Sequence, residues 1–152
     1  MTDPEQAIDR DWLCRCIVEG SGDAVLFADR EGKIRFWNSG ASAMFGWSAV
    51  EALGCSMDLI IPERLRGRHW GGWDQVMKTG LTRYGKDILA VPGSRKDGSP
   101  LSIEFTIQLV RDEAGAVVGA SAIVRDVTER WTRDRELRKR LADLEQKLRG
   151  DR

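Results

Sequence analysis

The sequence predicts an α+β domain: a five-stranded antiparallel sheet with short helices on one face, set between a flanking helix and a charged C-terminal helix. Three observations predict it. The stretch "LSIEFTIQLV" alternates strictly, with Leu101, Ile103, Phe105, Ile107 and Leu109 on one face. Turn-rich "DREGK" and "RDEAGA" each separate two apolar runs, as hairpins require. Between the hairpins lie short pieces with helical spacing and helix-start signals.

The first element reads as a helix capped by Asp3, with Pro4 at its first position. Ile8, Trp12, Leu13, Cys16 and Ile17 share one of its faces, and Gly20-Ser21-Gly22 ends it. Residues 24–28 and 34–37 form the first hairpin. Asn38 caps "SGASAMF", and Ser48 with Glu51 makes a capping box for "SAVEAL".

A longer helix is expected over residues 62–79. Leu65, His69, Trp73, Val76 and Met77 fall on one face, so His69, the only histidine, points inward. Gly71 and Gly72 weaken this helix by about 1 kcal/mol each relative to alanine. Close approach of a strand or a flat ligand would explain them. Arg64, Arg66 and Arg68 read as a solvated face.

Three strands follow: "DILAV", then "LSIEFTIQLV" after the turn "PGSRKDGSP", then "VVGASAIVRDV". Ser102, Glu104, Thr106 and Gln108 face water or a partner. A one-sided sheet covered by short helices tends to enclose a pocket.

The charge changes near Thr128. Residues 129–152 hold nine Lys/Arg against six Asp/Glu, while the first 128 hold 15 against 18. This divides the chain into a flanking helix (1–22), a central domain (23–128) and a C-terminal helix (129–152). In the last, Leu137, Leu141, Leu144 and Leu148 step four, three, four, as in a two-stranded coiled-coil seam, although Arg130 and Asp134 interrupt it further back. A solvated single helix is the alternative.

Formal charge cancels at 24 against 24, which argues against a general nucleic-acid or membrane-surface binder. No apolar run approaches the roughly 20 residues of a membrane span, and no secretory pattern opens the chain, so a cytoplasmic protein is expected. Cys14, Cys16 and Cys55 make neither a disulfide framework nor a zinc site, and read as buried or half-buried thiols. No catalytic constellation, phosphate loop or kinase signature stands out, so the chain is not expected to be an enzyme.

The segments "ADREGKIRFWNSGASAMFGWSAVEALG", "RKDGSPLSIEFTI" and "VVGASAIVRDVTER" resemble a PAS domain, the sensory module of many bacterial signalling proteins. Asp126-Val127-Thr128 resembles the Asp-x-Thr that joins such domains to an output helix. Within the family, "IPERLRGRH" is similar to the helix of haem-containing oxygen-sensor PAS domains, where the matching histidine is the proximal ligand. The resemblance therefore implies haem b on His69, which is also the one expected metal ligand.

It implies a pocket lined by Leu65, Trp73, Phe105, Ile107 and Ile123, with Arg83 near a propionate. Leu89 falls where those sensors carry a distal arginine. Leucine donates no hydrogen bond, so nitric oxide or carbon monoxide is favoured over oxygen. Met57 falls where light-sensing members carry the adduct-forming cysteine, which removes flavin photochemistry. A homodimer that signals to a downstream protein or output domain is implied as well. Two other readings stay open: a cofactor-free dimerisation or protein-interaction module, whose His69 is bonded to a backbone carbonyl, and a sensor of a small apolar ligand.

Overall fold

The computed structural model describes residues 8–151. Its elements run α1 (Arg10–Gly20), β1 (Ala24–Asp29), β2 (Ile34–Trp37), α2 (Ser39–Phe45), α3 (Ala49–Ala52), a 3₁₀ turn (Met57–Leu59), α4 (Glu63–Thr79), β3 (Leu89–Ser94), β4 (Pro100–Arg111), β5 (Val117–Asp126) and α5 (Thr128–Gly150). The sheet order is β2-β1-β5-β4-β3, and every neighbouring pair is antiparallel. This is the expected α+β architecture, with a helix at each end. No helix among the described residues is long and apolar enough to cross a membrane.

The local start signals work as read. Asn38 caps α2 through Ala41 N–H, and Ser48 and Glu51 form the reciprocal box on α3. Asn38 does more than cap. Only 1% exposed, it accepts from Val25 N–H at 2.8 Å and donates to the carbonyls of Val18 and Asp23. One amide thus joins α1, β1 and α2. Gly40 lies so close to the Asp23 carbonyl that any Cβ there would collide with it.

Two elements differ from expectation. Residues 8 and 9 are not helical, and α1 begins at Arg10 with Asp9 as its cap. Asp3 and Pro4 lie outside the described residues. β3 runs on through Pro92 and Gly93, which had read as turn. Gly93 permits this because it stands opposite Leu101, whose side chain fills the space a Cβ would need.

One face of the sheet makes the core. Ala24, Leu26, Ile34, Leu101, Ile103 and Val124 are each at most 7% exposed and pack under α2, α3 and the 3₁₀ turn. A second, smaller cluster of Met77, Val117 and Ala120 packs with Trp73, Val76, Ile107 and Leu109 under the C-terminal half of α4. Along β4 the division between the two clusters falls between Phe105 and Ile107.

The opposite face of β4 holds the start of α5. Val127 N–H donates to Ser102 O, and Ser102 N–H donates to Thr128 Oγ1, both at 2.9 Å. Arg130 pairs with Glu104. Beyond this grip α5 leaves the domain, and Leu137, Leu141, Leu144 and Leu148 are 55–71% exposed.

Candidate ligand site at His69

Helix α4 turns Leu65, His69, Trp73, Val76 and Met77 inward; all are half-buried except Met77, which is buried. Two tryptophans fix the imidazole. Trp70 meets it edge-on, with centroids 4.7 Å apart, and Trp73 stacks beside it at 5.9 Å and 27°. Each indole is itself anchored. Trp70 Nε1 donates to Asp58 Oδ1 at 2.7 Å, and Trp73 Nε1 donates to Arg30 O at 3.0 Å. Trp70 also lies against Gly32 in the β1–β2 turn. Gly32 has φ +77°, a left-handed conformation that glycine adopts freely.

Burial holds His69 below the usual histidine pKa, partly opposed by the nearby Asp58 carboxylate. The imidazole is therefore neutral at pH 7, the form that binds metals. Its Nδ1 is buried and has no hydrogen-bond partner among the described residues. A backbone carbonyl does not pin that atom, so the purely structural explanation for an inward histidine is not met there. An unpaired buried polar atom costs about 1–3 kcal/mol, and its retention calls for a reason.

Ile107 packs in the smaller cluster with Trp73 and Val76 of α4, and Phe105, also half-buried, packs on the main core. Leu89 stands directly beside Phe105 in the β3–β4 register, on the same face of the sheet. The structure thus brings Leu89 and Phe105 together, with Ile107 two residues along the same strand face.

Other expected lining residues lie elsewhere. Ile123 is 53% exposed and registers with Thr106, so it sits on the opposite face from Phe105. Arg83 lies on the exposed loop between α4 and β3, its guanidinium over the Tyr84 ring at 5.4 Å. Gly71 and Gly72 face open space among the described residues, so close approach of a strand does not account for them. Arg66 is not merely solvated; it donates to the carbonyls of Ile61 and Asp58. Cys14 and Cys16 are exposed rather than buried.

Sequence reasoning missed Asp58, Trp70, Gly32 and Arg30 as the frame of the site. The glycine in "DREGK" signals a turn, but nothing local signals that an indole 38 positions later will rest on it. Among the described residues no group of three or more His, Cys, Asp or Glu is placed to hold a bare metal ion. A metal at His69 would need a cofactor that brings its other ligands, and a neutral imidazole with an unpartnered nitrogen suits a haem iron in that respect.

The family model described as PAS fold matches residues 18–131. The chain belongs to the PAS fold family. This PAS domain is 28% identical over 143 residues to Sensor protein FixL of Bradyrhizobium diazoefficiens, covering 91% of this chain and 26% of that protein. It is 35% identical over 124 residues to an uncharacterised protein of Azorhizobium caulinodans, covering 81% and 17%. It is 24% identical over 133 residues to Sensor protein kinase WalK of Staphylococcus aureus, covering 88% and 20%. The PAS domain thus spans about a quarter or less of each of these relatives. Among solved structures, the PAS domain of a Colwellia psychrerythraea protein superimposes with a TM-score of 0.70 at 23% identity, covering 80% of this chain and 99% of that one. An RNA-binding light-oxygen-voltage receptor superimposes at 0.69 and 22% identity, covering 93% and 41%.

Proposed function

We propose that this PAS domain is a sensor module of bacterial signal transduction, and that it binds haem b through His69 to sense a diatomic gas. The observation that carries the reading is the neutral, inward imidazole with an unpartnered Nδ1, set between Trp70 and Trp73. The resemblance of "IPERLRGRH" to haem-sensor helices and the similarity to Sensor protein FixL support it. When bound, haem supplies the iron at which the gas docks. The protein's own residues do the rest. Trp70 and Trp73 would hold the His69 imidazole in place to bind the iron. Phe105 and Ile107 wall the site and keep water out. Leu89 offers no hydrogen bond, which favours nitric oxide or carbon monoxide over oxygen.

The module acts by binding rather than by catalysis, in the cytoplasm. It works as a homodimer through the exposed Trp12 and Ile17 of α1 and the leucines of α5, and passes its state to an output domain or a downstream protein. The relatives support this last point, being several times longer than the PAS domain. A second reading, a cofactor-free interaction module, draws on the two tryptophans that already close around His69. A sensor of a small apolar ligand is the intermediate case.

An absorption spectrum after expression with ample haem decides between them. A Soret band that is lost or displaced in His69→Ala supports haem ligation. A colourless protein rejects haem, and an unchanged band in His69→Ala rejects His69 as its ligand. Light scattering tests the dimer, and a concentration-independent monomer rejects it.

A further inference from the structure

Helix α4 is anchored at two places, and the anchors belong to different parts of the domain. Its C-terminal half is clamped to the sheet. Arg30 donates to Met77 O at 2.9 Å and to Val117 O at 2.6 Å, and its own carbonyl accepts from Trp73 Nε1. Arg111 donates to Gly80 O at 2.7 Å and to Gly115 O at 3.1 Å. Two guanidinium groups thus join the end of α4 to β5 and to the β4–β5 turn.

The N-terminal half is held elsewhere. Trp70 donates to Asp58 Oδ1 at 2.7 Å, and Arg66 donates to the carbonyls of Asp58 and Ile61. These partners lie in and just after the 3₁₀ turn, which is itself tied to β3 where Ser94 N–H donates to Ile60 O. Gly71 and Gly72 stand at the boundary between the two anchorages, with Trp70 before them and Trp73 after. A Cβ at either would meet nothing within 4 Å, and neither has a left-handed backbone, so neither packing nor conformation demands glycine there. Two adjacent glycines make a helix easy to interrupt, and sharp helix bends gather at such points.

We propose that α4 is a hinged lid over His69: it bends at Gly71–Gly72, which parts Trp70 from Trp73 and bares the imidazole. In the closed form the two indoles stand 6.0 Å apart, edge to face, with the imidazole beside both. Asp58 is the latch, because its carboxylate holds Trp70 while Arg30 and Arg111 keep the half that carries Trp73 still. The unpartnered Nδ1 of His69 favours opening, since water or a ligand can then bond it. The hinge rests on His69 being a ligand site and adds how that site is reached.

The test follows carbethoxylation of His69, the only histidine, by diethyl pyrocarbonate, with mass spectrometry of the full chain expressed without added haem. Each alanine at the hinge should lower the open fraction about fivefold, so Gly71→Ala with Gly72→Ala should slow the reaction at least tenfold. Gly67→Ala is the control. It too faces open space on α4, but it lies within the half held at Asp58, and it should leave the rate unchanged. Asp58→Ala should speed the reaction about tenfold by freeing Trp70. An unchanged rate in the double variant, or equal slowing by Gly67→Ala, would overturn the hinge. An unchanged rate in Asp58→Ala would overturn the latch. The reaction needs no haem, so a chain that stays colourless with ample haem would reject the haem reading and leave these rates to decide the hinge.

Discussion

Arg95 reaches Asp126 at 2.9 Å with one guanidinium nitrogen while another donates to Met44 O at 3.1 Å. Met44 lies in the last turn of α2, which packs on the core, and Asp126 is the last residue of β5 before α5. One side chain therefore ties the core helices to the root of the projecting helix. Arg95→Ala should destabilise the domain by about 1–3 kcal/mol, the range for removing partners from buried or charge-assisted hydrogen bonds. Urea unfolding measures it, and a change too small to detect would mean that the bridge is idle in solution.

The same junction makes stability depend on acid. Burial raises the Asp126 pKa, but hydrogen bonds from Thr128 and Arg95 outweigh it and hold the carboxyl below the ordinary 3.8. The folded state thus favours the ionised form. Its contribution to stability is complete above pH 3.8 and is lost as pH falls from there through the lowered folded value. The stability difference between the native chain and Asp126→Asn should therefore shrink below about pH 3.8 and stay constant above it. Urea titrations at a series of pH values test this; a difference that moves near neutrality would assign the linkage to another group.

Gly32→Ala should be costly out of proportion to one methyl group. The new Cβ would strike the outer ring of Trp70, which Asp58 holds in place, and the left-handed backbone adds strain. A loss of about 1–3 kcal/mol is expected, as for overpacking in a fixed site. Tryptophan fluorescence should shift with it. A neutral substitution would show that Trp70 is free to move away.

Leu89→Arg should place a donor beside Phe105, where the register puts position 89. In haem-loaded protein, oxygen affinity should rise roughly ten- to hundredfold, as expected for one charge-assisted hydrogen bond. Carbon monoxide affinity should change much less, because its bound form carries little charge. Gas titrations followed by absorption separate the two, and equal effects on both gases would place residue 89 away from the ligand.

Local signals in the sequence were read correctly where the chemistry is local. The Asn38 cap, the Ser48–Glu51 box and the inward face of α4 each depend on residues within a turn or two. The alternation of β4 is likewise visible because a strand turns successive residues to opposite sides. The candidate site was only partly legible. The inward side of His69 and the shared face of Leu89, Phe105 and Ile107 follow from helix and strand periods, but the side of Ile123 depends on its register with Thr106, which sets it on the other face. The direction of Arg83 could not be read, because an irregular loop has no period. The hold of Gly32 on Trp70 and of Arg30 on Trp73 depends on how α4 crosses the first hairpin, which no window of sequence encodes.

The alternation of β4 has a consequence for how such a module can be rebuilt. Ile103 and Phe105 look into the core, while the Glu104 side chain between them pairs with Arg130 of α5 and Ser102 meets α5 through its backbone. One strand thus serves the core with its odd-numbered side chains and the root of α5 with Glu104, so position 104 can be changed to suit a different following helix without disturbing the packing of Ile103 and Phe105.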